Sequence, residues 1–257
     1  MGRNQHFIPV FYQKYWESER KGYVWGFEKK YSNQGLRQFA ISRNCSKDYL
    51  YEGDSSKPTN AFENLYNEFE TRSAKPFSQL IDSRNCIQRV DGKTKKLLSD
   101  MYSNFSARHE RNLYGSMENH RLASLFTLGK ADKTIDRRYI LNMISLSKSR
   151  VYEGVESDFG NRLMSYKFQV LVSNEPKIVF FDSIVEQIHY ENEYYFPICP
   201  TMVARFADDI DSADGTVRII RDREYERFID MYMLHPLVTK VFSSDKRILE
   251  RVVARYF

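Results

Sequence analysis

The pattern of apolar positions changes character twice along the chain. It opens on an aromatic cluster, His6-Phe7-Ile8-Pro9-Val10-Phe11-Tyr12-Gln13-Lys14-Tyr15-Trp16, with Phe11, Tyr12, Tyr15 and Trp16 at i, i+1, i+4 and i+5. That spacing makes one broad face of a short helix and puts Gln13, Lys14, Glu17 and Ser18 on the other. Pro9 biases Ile8 toward extended backbone and suits the first helical position, so an extended entry leads into the helix. Gly22 is a natural stop. Tyr23, Trp25 and Phe27 then alternate with Val24, Gly26 and Glu28, Ser32-Asn33-Gln34-Gly35 is a turn, and residues 37–42 alternate again through Phe39 and Ile41. This predicts a β-hairpin packed beside the opening helix. Residues 48–51 add a short strand, and 53–58 form a loop by composition.

A helical period follows. Asn60 with Glu63 is a capping box, and Phe62, Leu65, Tyr66 and Phe69 are the buried stripe of the helix it starts. Pro76 is expected to kink or restart that helix before Phe77, Leu80 and Ile81. Beyond a polar loop at 83–92, a helix from Thr94 to near Arg111 buries Leu98, Met101, Tyr102 and Phe105. Further helices are predicted over 117–128, ending at Gly129, and from Asp132 or Thr134, burying Ile135, Tyr139, Met143 and Ile144. From Ser165 the period returns to two, through Tyr166, Phe168, Val170 and Val172. An apolar run at 178–181, strands at 195–198 and 202–206, and a strand at 217–220 follow. Helices over 222–234, 236–242 and 245–256 close the chain. The class is α+β, read as one domain over 1–257. An N-terminal helix and β-hairpin (1–52) precede a central helical bundle (59–163) and a C-terminal antiparallel sheet with a helical tail (165–257).

Composition changes this picture little. With 257 residues, 42% hydrophobic and 28% charged, the chain has material for a packed core. No run of apolar residues reaches membrane-spanning length, and the polar start lacks a signal peptide's apolar stretch. Gly2 is not followed by the Ser or Thr at position 6 that myristoylation wants. Cys45, Cys86 and Cys199 are far apart and odd in number, so they read as reduced thiols of a cytoplasmic protein. Charge is more informative. Residues 84–150 hold fourteen Lys and Arg against six Asp and Glu, a local +8 within an overall +5. A basic middle suggests nucleic acid as partner; the plainer reading is a helical region showing solvated cations.

The order of motifs resembles a bacterial family, domain of unknown function 4238. The likeness rests on His6…Pro9…Tyr12…Trp16, the aromatic hairpin, the acidic helix Glu63-Asn64-Leu65-Tyr66-Asn67-Glu68-Phe69-Glu70, the stretch Phe196-Pro197-Ile198-Cys199-Pro200, and the ending with Val241-Phe242-Ser243-Ser244. The family's Thr-Ser-Asp-x-Pro turn is altered here: Phe180-Phe181-Asp182-Ser183-Ile184-Val185 has no proline, and Asp182 alone stands in for the acid. The resemblance implies no assigned activity. Its members are often bacterial or phage-borne accessory proteins, so toxin or phage-defence roles are the setting it suggests.

The candidate chemistry begins at His6. Just ahead of a helix N-terminus the dipole disfavours an imidazolium and leaves a neutral base or metal ligand; the alternative is a His that fixes the chain's entry. Glu63, Asn67 and Glu70, at i, i+4 and i+7, form a polar stripe. With His6 or Asp182 they are a candidate site for a divalent ion, Mg or Mn, in phosphodiester cleavage. The alternative pairs these carboxylates with Arg108 or Arg111. Lys14, Lys95, Lys96, Arg108 and Arg111 are the candidate nucleic-acid contacts, and His109 reads as a half-buried core residue. The Asp209–Gly215 stretch misses calcium-loop spacing, since Gly215 falls at position seven and Ile220 at twelve. No phosphate-cradling glycine loop, Gly-x-Ser-x-Gly or Cys-x-x-Cys occurs. The expected function is thus a toxin- or defence-type protein acting on nucleic acid, a metal-dependent nuclease or phosphodiesterase with His6, Glu63, Glu70 and Asp182 as catalytic set. The runner-up is a non-catalytic interaction or sensor module with a protein partner, and a weaker third is a hydrolase of small phosphorylated molecules.

Overall fold

In a computed structural model of the chain, residues 4–48, 50, 61–108, 158–184 and 193–257 are described. Strand β1 (Asn4–His6) leads through Ile8 and Pro9 into α1 (Val10–Gln13), which tightens into a 3-10 turn over Lys14–Trp16. Pro9, at φ −57° and ψ 142°, is the cap itself rather than the first helical residue. Tyr12 and Trp16 are fully buried, whereas Phe11 and Tyr15 are half-buried and lie edge-on to Phe77. Gln13 corrects the expectation of a polar outer face. It is fully buried, donating to the Ile8 carbonyl at 2.7 Å and accepting from Asn44 at 3.1 Å. A single turn wrapped by its own entry strand has no outward face to offer.

Strands β2 (Tyr23–Glu28) and β3 (Arg37–Ala40) form the expected hairpin, and β4 (Ser46–Asp48) pairs antiparallel with β1. The strand expected at 48–51 thus sits a little earlier. Helix α2 (Ala61–Asp82) runs without interruption through Pro76. The proline is exposed, and the burial of Phe69, Ser73, Phe77, Leu80 and Ile81 on the opposite face holds the helix across the lost backbone bond. Helix α3 (Gly92–Arg108) starts at an Asp91 carboxylate that accepts from the Thr94 N–H at 2.8 Å. It is buried on nearly every side over 98–106. Helix α4 (Asp158–Ser165) packs on it, with the Ser99 hydroxyl donating to the Gly160 carbonyl at 3.0 Å. The capping Asn60 and the helices predicted at 117–128 and from 132 lie outside the described residues.

The remaining strands are β5 (Lys167–Val172), β6 (Phe180–Phe181), β7 (Glu193–Cys199), β8 (Met202–Ala207) and β9 (Thr216–Ile219); α5 (Asp222–Met233), β10 (Lys240–Ser243) and α6 (Lys246–Ala254) follow. One sheet has the order β3-β2-β10-β6 and another β7-β8-β5-β9. The second is mixed rather than purely antiparallel. Strand β8 finishes at the starting end of β5, where Ala207 faces Lys167, and the acidic turn crosses there. Gly215, at φ +82°, and Asp214, which accepts from the Phe168 N–H at 2.7 Å, turn the chain back into the sheet, so β9 must run with β5. The sequence pattern predicts a helix over 236–242. The end of that stretch instead forms β10, since Val241 and Phe242 are wholly buried between β2 and β6 and need ladder partners on both sides.

One continuous core joins both sheets to α1, α2, α3 and α5. The fold is α+β, and among the described residues no helix is long and apolar enough to cross a membrane. Gly26 shows how tight the packing is: a Cβ there would lie 2.6 Å from the Phe39 ring and 2.7 Å from the Phe242 ring. Gly26→Ala should therefore destabilise the protein by about 1–3 kcal/mol, the cost of overpacking, in a denaturant titration. An unchanged midpoint would show that the two rings can yield.

Candidate functional site

Helix α2 presents Glu63, Tyr66, Glu70 and Ser73 at i, i+3, i+7 and i+10, one stripe of a helical surface. Arg108, the last residue of α3, reaches that stripe. Its Nη1 donates to Glu70 Oε1 at 2.5 Å, and its guanidinium carbon stands 3.9 Å from the centre of the Tyr66 ring. Arg108 is wholly buried, while the Glu70 side chain keeps 21% of its exposure. An ion pair so enclosed combines Coulomb attraction with a charge-assisted hydrogen bond, and the aromatic face supports the cation from one side.

His6, at the end of β1, is half-buried beside this pair. Burial lowers its pKa below the ordinary 6.5. The Glu70 carboxylate and the backbone at Ile41 and Ser42 act in the opposite sense, and Arg108 adds to the lowering. The imidazole is therefore favoured in its neutral, proton-accepting form by desolvation rather than by a helix dipole, α1 being a single turn. So His6 lies within electrostatic reach of the Glu70–Arg108 pair, with Glu63 two turns from Glu70 on the same face of α2.

Other expected members do not join them. Asp182 is buried and bound to the start of β10: one carboxylate oxygen accepts from the N–H groups of Thr239 and Lys240 at 2.9 and 3.0 Å, the other from the Thr239 hydroxyl. It ties β6 to β10 and is not a catalytic acid of this site. The Glu63, Asn67 and Glu70 stripe does not assemble as a cation site either. Asn67 is exposed, Glu70 is engaged by Arg108, and among the described residues no three His, Cys, Asp or Glu side chains gather at metal-binding distances.

The basic contacts need similar correction. Arg108 is an interior residue paired to Glu70 rather than a surface cation. Lys95 is buried too, its ammonium donating to the Tyr166 carbonyl at 2.6 Å and to Asp214 at 3.3 Å. Lys96 pairs with Asp100 at 2.8 Å, one turn along the helix. Lys14 is exposed, and His109 and Arg111 lie outside the described residues. Buried lysines and arginines follow from α3 being a central helix, where only hydrogen-bonded cations are tolerated.

The sequence reads Tyr66 only as part of the buried stripe of its helix, where it is buried and also faces the Arg108 guanidinium, and it does not single out Asn104. Asn104 is wholly buried on α3, and among the described residues neither its amide nitrogen nor its oxygen has a hydrogen-bond partner. Leaving such a group unpaired costs about 1–3 kcal/mol. The available signal was the polar run Ser99, Ser103, Asn104, Ser106 and Arg108 threaded through an otherwise apolar helix, all of it buried. A family model described as "Protein of unknown function (DUF4238)" matches residues 4–233. No curated protein and no solved structure matches the chain.

Two measurements check this geometry. Arg108→Ala should cost about 3 kcal/mol in chemical denaturation, the low end for breaking a buried pair, because Glu70 retains some solvent. A loss below ~1 kcal/mol would mean the pair is effectively a surface one. The pH dependence of His6 has a definite sign. Its folded pKa lies below the unfolded 6.5, so the unfolded state takes up more protons on acidification. The associated stability is complete above pH 6.5 and is lost as pH falls through the depressed folded value. The drop in melting temperature between about pH 7 and pH 5 should accordingly be smaller in His6→Gln than in the wild type; equal drops would contradict it.

Proposed function

We propose that this chain, which belongs to the DUF4238 family, is a toxin- or phage-defence-type protein acting on nucleic acid, a phosphodiesterase whose chemistry centres on His6, Glu70 and Arg108. The observation that carries this reading is the meeting of a desolvated imidazole, a carboxylate and a buried guanidinium, brought from β1, α2 and α3. Such a trio matches hydrolysis of a phosphodiester. The neutral His6 takes a proton from a water molecule as its oxygen adds to phosphorus, the bond to one sugar oxygen breaks, that oxygen leaves with a proton from solvent water, and the imidazolium returns its proton to solvent. Arg108 supplies the positive charge. A phosphate competes with Glu70 for its planar fork, and Glu70 holds the guanidinium in place until then. The net charge of +8 over residues 84–150 supports a polyanionic substrate.

A second reading, a non-catalytic interaction or regulatory module, is favoured by one fact: Arg108 is wholly buried, paired to Glu70 and set over the Tyr66 ring, as a structural pair would be.

Labelled single- and double-stranded DNA and RNA, incubated with the purified protein with and without Mg or Mn, separate the two. Cleavage that falls by about 10²–10⁴ in His6→Gln, at a melting temperature near wild type, fits a proton-transfer role. Salt-sensitive binding without cleavage would leave only the binding module. Neither cleavage nor binding at low salt would remove nucleic acid from consideration.

A further inference from the structure

Buried polar side chains in the mixed sheet satisfy one another. Arg218 donates to Gln169 at 3.0 Å, Gln169 to the Ser212 hydroxyl at 2.6 Å, Tyr195 to Glu193 at 2.7 Å, and Arg205 to Glu193 as well. That network is closed and needs nothing from outside. Asn104 is the contrast. It has no exposure, yet among the described residues neither amide atom has a partner. It stands four residues before Arg108, on the same face of α3 and ~6 Å away along the axis. An interior amide left in that state is penalised in the free protein, and a bound group offering an acceptor beside a donor removes the penalty.

We propose that Asn104 is the base-reading residue of this site. Its carboxamide pairs with the edge of a nucleobase while Arg108 takes the attached phosphate, so the unit recognised is a nucleotide. The inference rests on the phosphodiester reading and adds to it the recognition of the base. An asparagine carboxamide matches the amino group and ring nitrogen of adenine bidentately, which makes an adenine nucleotide the first probe. A site built around buried hydrogen-bonding groups also rejects ligands that leave those groups unpaired, so the margin between nucleotide and bare phosphate is the quantity to measure.

Adenosine monophosphate and inorganic phosphate are titrated into the full chain by calorimetry, for the wild type and for Asn104→Leu. The wild type should bind the nucleotide at least about tenfold more tightly than phosphate. The variant should lose that margin, keep its phosphate affinity within about twofold, and melt at the same or a higher temperature, since an apolar side chain of similar size needs no partner. Equal wild-type affinity for the two probes would overturn the role of Asn104 while leaving the phosphate site standing. Binding of neither would overturn both. A nucleotide margin that survives in Asn104→Leu would also overturn it. Should that variant fail to fold, Asn104→Ser is measured in its place, and an undiminished margin there has the same force.

Discussion

One hydrogen bond organises the interior. The Tyr12 hydroxyl donates to the Pro197 carbonyl at 2.5 Å, inside a cage of Trp16, Phe77, Phe105, Phe180 and Phe196 whose ring centres lie 5.2–6.1 Å from its own. Complete burial raises the phenol's pKa well above 10, so it stays a neutral donor. Pro197 suits its side of the bond. It lacks an N–H, and it sits on β7, an edge strand of the described sheet, where the register with β8 shifts. Two of the stretches that carry the family likeness, the opening run through Trp16 and Phe196–Pro200, therefore meet at a single point of the core. Their coincidence in sequence is architectural before it is functional.

That anchor also positions the candidate site. The backbone just before Tyr12 is clamped from the side: the N–H groups of Phe7 and Ile8 both aim at the Cys45 carbonyl, at 2.9 and 3.4 Å, and Cys45 adopts a left-handed φ of 50° to present it. Gln13 and Asn44 lock the same junction with a pair of buried amide bonds. Since α2 and α3 pack on Tyr12 through Phe77 and Phe105, the aromatic cage sets how His6 stands relative to Glu70 and Arg108. The imidazole is thus held on a rigid frame rather than a loop, the condition for a preorganised site.

The seam between α2 and α3 is expensive by design of its surroundings. A buried Arg–Glu pair seldom stabilises a protein more than apolar residues of the same volume would, and an unpaired buried amide is unfavourable outright. In the mixed sheet interior polar groups are matched, as the Glu193, Arg205 and Tyr195 network shows, whereas the buried Ser183 hydroxyl has no hydrogen-bond partner among the described residues. The unpaired Asn104 amide lies on the helix that also carries Arg108, and unsatisfied interior groups concentrate where a site departs from the rules of stability.

Periodicity alone specified most elements: the aromatic opening, the hairpin through Phe39, the strands flanking Cys199-Pro200, the helix over 222–233 and the last helix behind Asp245. These are decided locally, by which face must be dry. Residues whose role depends on what lies opposite were not legible in that way. The 236–242 run reads as a helix until β2 and β6 stand on either side of it, Gln13 reads as exposed until Asn44 folds over it, and β9 takes its direction from where β8 happens to end. The site divides along the same line. His6 and Glu70 could be nominated from residue type and spacing, and their pairing with an arginine of the next helix was among the alternatives. That Arg108 is interior, that Asp182 serves β10, and that Asn104 has no partner among the described residues are decided only by tertiary packing, because desolvation and hydrogen bonding belong to a place in the fold and not to a position in the chain.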